Sequence, residues 1–256
     1  MRSLNRFIAV ATLVAVLVNL LAIDAKADQL TIKGQDAAGI FDSKFYESYT
    51  HINWGGATTL TIVAGAGTSR VSVFTYTNAD TIGVGATVNT ATLRLYCEGQ
   101  TGATVAIVPL WKPFKEGNSS NATQVGASDE HCWHHIDGTS ADSTFTGVCA
   151  SSANDAGPQN RGDGVGYDRM ATPLDSKVVN ATGWWEWDIT TWYQAVYAGD
   201  ILPYGFALIE TSATGSTSFS SSESGTTTQW PEIVVDFTPD AGNPPARRSR
   251  LIRNGL

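Results

Sequence analysis

Between Gly183 and Trp192 the chain reads Gly-Trp-Trp-Glu-Trp-Asp-Ile-Thr-Thr-Trp, and the spacing of its large side chains changes from two to nearly four within ten residues. That change predicts a strand running directly into a short helix. Trp185, Trp187 and Ile189 then face a core, while Trp184, Glu186 and Asp188 point outward or lie at its rim. Thr190 or Thr191 can cap a helix over 192–198, with Gly199 as its stop.

Elsewhere the period of two dominates. Ala91, Leu93, Leu95 and Cys97 alternate with Thr92, Arg94 and Tyr96, as expected of a strand with one buried and one wetted face. Further strands are expected at Leu30–Ile32, Ile40–Asp42, Thr58–Val63, Arg70–Tyr76, Thr104–Leu110, Tyr204–Glu210, Ser216–Ser221 and Pro231–Phe237. Ala64-Gly65-Ala66-Gly67 reads as the turn of a hairpin. Long helical stripes are missing and charged residues make up 16% of the chain, which favours an all-β protein over an α/β enzyme.

The first 27 residues read as an export signal: Arg2 and Arg6, an apolar run from Phe7 to Ile23, and Ala25-Lys26-Ala27 as a cleavage site. An uncleaved anchor is the alternative, because the run sits at the short edge of a membrane span. Residues 28–238 then form one domain, and 239–256 a basic tail. Cleavage would take the formal net charge from −8 to −10. The last 14 residues hold four arginines and no acid, so the body is near −14. Such a surface repels a phosphate backbone and argues against nucleic acid as a partner.

From Asn118 to Thr182 the periodic pattern gives way to Ser, Asn, Asp and Gly, a long loop insert. Cys132 and Cys149 both lie in it, and in an oxidising compartment a disulfide between them would contribute about 3 kcal/mol. Cys97, on the apolar side of its strand, reads as a core thiol. His131 and His135 have the spacing of metal ligands on a helix, but their loop context and the missing HExxH glutamate favour a polar loop pinned by the disulfide. Arg161-Gly162-Asp163 is a tripeptide that glycine-rich loops produce by chance. Asn118, Asn121 and Asn180 head glycosylation sequons.

Several blocks in order carry a resemblance. They are Asn53-Trp54-Gly55-Gly56; Gly85-Ala86-Thr87-Val88 leading to Ala91–Tyr96; Trp111–Gly117, similar to an aromatic-x-Glu-Gly block; Trp187-Asp188-Ile189-Thr190; Tyr204-Gly205-Phe206; and Phe219-Ser220-Ser221-Ser222-Glu223. In this order, from about Phe41 to Phe237, the chain resembles the DNRLRE domain family, which includes disaggregatase-related repeats and neighbouring alginate-type carbohydrate-binding modules. The resemblance implies an antiparallel two-sheet jelly-roll β-sandwich, extracellular placement, and a non-catalytic carbohydrate-binding, adhesive or wall-associated role. The single copy and the long insert depart from the family pattern.

Hydrolysis would call for paired carboxylates on facing elements or a Ser, His and acid set. The acids are scattered through loops and no Gly-x-Ser-x-Gly elbow is present, so no catalytic residue is assigned. For a sugar ligand, Trp133, Tyr167 and Trp184 are the aromatic candidates, the remaining tryptophans reading mostly as core. Structural calcium is the one cofactor considered, since oxygen-rich jelly rolls often clamp a strand end with it. Its candidate ligands are Asp42, Asp188, Glu223 and Asp236.

The expected function is that of a secreted module binding a surface polysaccharide or cell-surface polymer. The alternative is a structural subunit of a surface layer, filament or virion that self-associates through edge strands or the basic tail. A polysaccharide-degrading enzyme stands third.

Overall fold

The chain alternates small apolar and hydroxyl side chains so persistently that most of its ordered elements are strands. The computed structural model describes residues 27–34, 39–46, 54–64, 70–76, 82–83, 85–110, 116, 170, 172–212 and 215–240. Among them the chain forms β1 (Asp28–Lys33), β2 (Ile40–Tyr46), β3 (Thr59–Ala64), β4 (Arg70–Tyr76), β5 (Thr87–Gln100), β6 (Ala103–Pro109), β7 (Asp175–Val179) and β8 (Gly183–Asp188). A helix, α1 (Thr190–Ala198), precedes β9 (Phe206–Glu210), β10 (Gly215–Ser220), a 3₁₀ turn (Thr227–Gln229) and β11 (Glu232–Thr238). All described ladders are antiparallel. The fold is all-β, as expected.

β5 organises the sheet, because its length lets it take three partners in succession. Residues 87–94 pair with β11, residues 92–97 with β8, and residues 97–100 with β10. From this hub the ladder runs β1-β11-β5-β10-β3-β4-β9-β6-β7, with β2 added to β4 and β8 to β5. The strands therefore form one connected sheet that curls around its apolar side. Register shifts at Ser218/Phe219 and Asp236/Phe237 fall on the strands flanking β5, where bulges strengthen local twist.

The inner side of β5 follows its alternation: Ala91, Leu93, Leu95 and Cys97 are fully buried. Leu93, Trp187 and Phe206 belong to one apolar cluster with Ile107, Leu208, Phe219, Ile233 and Val235. Trp187 donates its indole N–H to the Val105 carbonyl at 3.2 Å and meets Phe219 edge-on at 5.7 Å. Each such side chain contributes roughly 1.5–3 kcal/mol by leaving water. A second, smaller cluster of Val71, Val73, Leu110 and Ala207 lies apart from the first. Cys97 is a buried free thiol of the main cluster, as its place on the strand implied.

Three local expectations change. The irregular stretch was expected to last until Thr182, yet β7 occupies Asp175–Val179 and pairs with β6. Only one of its five side chains is buried, so the strand carries too little apolar alternation to be read from sequence. β3 and β4 are antiparallel neighbours, as the expected hairpin requires, but share only one described pair, Val63 with Arg70. Their long ladders go to β10 and β2 instead.

The third change concerns the start of α1. Ile189 occupies the N-cap position and makes no side-chain cap bond. Thr190 begins the helix, its backbone N–H donates to Asp188 Oδ1 at 2.8 Å, and its hydroxyl accepts the Ala91 N–H at 3.0 Å. The threonine thus ties helix to sheet, and the aspartate two residues earlier satisfies the open N–H. Gly199 ends the helix as expected, with φ 81°. Trp192, Tyr193 and Val196 form its buried face.

Candidate functional site

β2 pairs with β4 so that Asp42 lies opposite Phe74, a core residue. This register carries a carboxylate inside, and Asp42 is 1% exposed. The turn that follows β10 approaches it: the Ser222 backbone N–H donates to Asp42 Oδ2 at 2.7 Å, and the Ser222 hydroxyl donates to Glu223 Oε1 at 2.8 Å. Ser221 anchors the turn by donating its hydroxyl to the Ala57 carbonyl at 2.6 Å. From the segment after β6, Glu116 Oε1 accepts the Asp42 backbone N–H at 2.8 Å.

Carboxylate oxygens of Asp42, Glu116 and Glu223 consequently lie within 4.8 Å of one another. Asp42 Oδ1 is buried without a hydrogen-bond partner. Burial, followed by the nearby Glu223 carboxylate, holds Asp42 well above the usual carboxylate range against the opposing Ser222 N–H bond. Burial also pushes Glu116 up to about 8; the Asp42 N–H opposes this and Glu223 adds to it. Charge repulsion and lost hydration act together here. The donor set is all oxygen, suited to a hard cation.

A second arrangement lies on the opposite face of β5. Tyr96 pairs with Trp184 and Arg94 with Glu186 across the β5–β8 ladder, which places all four on the face away from Leu93 and Trp187. Trp184 and Tyr96 meet edge-on at 5.7 Å, and the Arg94 guanidinium stands 4.8 Å from the Trp184 ring. Arg94 Nε donates to Glu186 Oε1 at 3.0 Å, and Nη1 to Glu232 Oε2 at 2.7 Å. Lys33 Nζ donates to the other Glu232 oxygen at 2.6 Å. The result is an aromatic pair set in a charged, partly exposed lattice.

The outward and inward tryptophans separate as the period of two required: Trp187 is fully buried, Trp185 packs against the core, and Trp184 is half-buried on the other side. Of the four sequence-derived calcium ligands, the structure brings Asp42 and Glu223 together and leaves the other two elsewhere. Asp188 receives the Thr190 N–H. Asp236 accepts from Gln29 Nε2 and Thr90 Oγ1, each at 2.9 Å. Asp188 is engaged by the start of the helix that follows its strand, and Asp236 by donors from the two strands beside its own, so each has a structural role without an ion. Glu116 was missed as a ligand, although its Trp111–Gly117 block was noted; only the fold reveals that Glu116 itself meets β2.

Trp133, Tyr167, Cys132 and Cys149 lie outside the described residues, as do His131, His135, most of the stretch 118–182, residues 1–26 and residues 241–256. Among the described residues no helix is long and apolar enough to cross a membrane. No protein-family model matches the chain and no curated protein matches it significantly, so its own residues carry the functional argument.

Proposed function

We propose that the chain is an exported, non-catalytic module of DNRLRE type that binds a surface polysaccharide, and that its curled sheet corresponds to the two layers of a jelly roll joined through β5. The observation that carries the binding role is the Tyr96–Trp184 pair with Arg94 against the indole. A pyranose ring offers an apolar C–H face that stacks on an indole, and stacking tolerates many sugars. Arg94 adds a planar donor fork suited to a carboxylate or a hydroxyl pair. Glu186, whose side chain is 59% exposed, is the partner that a sugar acid would displace from the guanidinium.

The test is retention of the protein in native gels cast with a panel of neutral and uronic-acid polysaccharides. One member of the panel should retard the wild type, and Trp184→Ala should lose at least about 1 kcal/mol of that binding, roughly a five-fold weakening, with an unchanged unfolding midpoint. Equal retardation of wild type and variant on every retarding gel would reject this face as the binding surface.

The alternative, a structural subunit, draws on one observation. β7 ends the ladder and holds Val178 at 56% exposure, and an edge of this kind can template a neighbouring strand. Size-exclusion chromatography separates the two readings: a polymer that dissociates on Val178→Lys favours the subunit, and a monomer favours the binder.

A further inference from the structure

We propose that Asp42, Glu116 and Glu223 form a calcium site that fastens three distant segments of the chain. This goes beyond polysaccharide binding, and neither proposal requires the other. Oxygens from the three carboxylates are gathered within 4.8 Å, inside the roughly 5 Å that separates ligands on opposite sides of a calcium ion. Proximity of acids alone would not indicate a ligand. The independent observation is Asp42 Oδ1: the residue is 1% exposed, its other oxygen is held by the Ser222 N–H, and Oδ1 has no hydrogen-bond partner.

A buried carboxylate oxygen without a donor costs free energy that a native interior normally avoids. Among the described residues no neighbouring cation offsets it, and Asp42 and Glu116 have no ion-pair partner. Lys44, two residues along β2, is turned toward Thr59 Oγ1 at 3.3 Å and toward the Tyr46 and Trp54 rings. A divalent cation would supply the missing positive charge at the point where the three side chains converge.

The donor set selects among cations. It offers oxygen alone, with no imidazole or thiolate, which disfavours zinc and copper. Three protein carboxylates suit calcium, with its flexible coordination of six to eight oxygens, better than magnesium, which keeps several waters and takes one or two carboxylates. The site would join β2 to the segment after β6 and to the turn after β10.

The experiment uses the full chain freed of metal with a chelator and dialysed. Titration with calcium chloride, followed by thermal unfolding and isothermal calorimetry, should show a saturable rise in Tm and one ion bound per chain, with magnesium giving a smaller shift. Glu116→Gln removes one charge from a half-buried position and should weaken calcium binding by about tenfold or more. Asp236→Asn, remote from the cluster, should leave calcium affinity unchanged. Calcium that neither binds nor shifts Tm in the metal-freed wild type overturns the proposal, and so does calcium affinity unaltered by Glu116→Gln. Loss of polysaccharide retention with intact calcium binding would count against the polymer-binding face alone.

Discussion

Asp42 Oδ2 accepts the backbone N–H of Ser222 at 2.7 Å, across 180 residues of sequence. The bond links β2 to the turn after β10 and holds one carboxylate oxygen, while the other, Oδ1, is buried without a hydrogen-bond partner. Elements that converge from so far apart are placed by sheet topology. The same topology presents Trp184 and Tyr96 together on the outside of β5 and β8.

Trp187 should dominate the stability of the core. Its ring is fully buried against Phe219, and its N–H is satisfied by Val105. Trp187→Ala is expected to cost about 3–5 kcal/mol. Trp187→Phe, which keeps an aromatic ring but leaves the Val105 carbonyl without that donor, should cost about 1–3 kcal/mol. Urea unfolding monitored by far-ultraviolet circular dichroism measures both.

Gly205 and Gly102 both have positive φ, 96° and 79°. A Cβ at Gly205 would stand 1.8 Å from the Phe74 carbonyl oxygen, whereas one at Gly102 would meet nothing within 4 Å. Gly102→Ala should therefore cost about 1–2 kcal/mol, the strain of the left-handed backbone alone. Gly205→Ala should cost clearly more and lower the soluble yield, because β4 and β9 must separate to admit the methyl group. Equal unfolding midpoints for the two variants would contradict the close approach.

Glu232 receives two cations, Lys33 Nζ at 2.6 Å and Arg94 Nη1 at 2.7 Å, and its side chain is 10% exposed. Neutralising it leaves both cations facing a weaker acceptor. Glu232→Gln should destabilise by about 1–3 kcal/mol, less than a fully buried ion pair because Lys33 and Arg94 retain contact with water. The loss should shrink as salt is raised, and chemical denaturation at two ionic strengths checks this.

Asp188 titrates below the usual carboxylate range because its carboxylate accepts hydrogen bonds from the hydroxyl and backbone N–H of Thr190. A carboxyl with a lowered folded-state pKa adds stability that is present above its unfolded value, 3.8, and disappears as pH falls through the folded value. The wild type should exceed Asp188→Asn by up to about 1 kcal/mol near pH 6, limited by solvent screening. The difference should close as the pH falls below 3.8 and through the lower folded-state value. Melting curves across this interval provide the measurement.

The alternation of Ala91, Leu93, Leu95 and Cys97 determined which face of β5 is buried, since a strand has a side-chain period of two and a one-residue error would have exposed the whole set. The switch of period after Trp187 likewise located β8 and α1, and the separation of Trp184 from Trp187 followed from it. Sequence alone also marked Asp42 and Glu223 as acids near strand ends. It could not pair them with Glu116, distinguish them from Asp188 and Asp236, or find β7. Those outcomes depend on which strands become neighbours, and periodicity along one strand contains no information about its partner. Only the assembly of the curled sheet, with β5 shared among three ladders, decided where the charges and rings would meet.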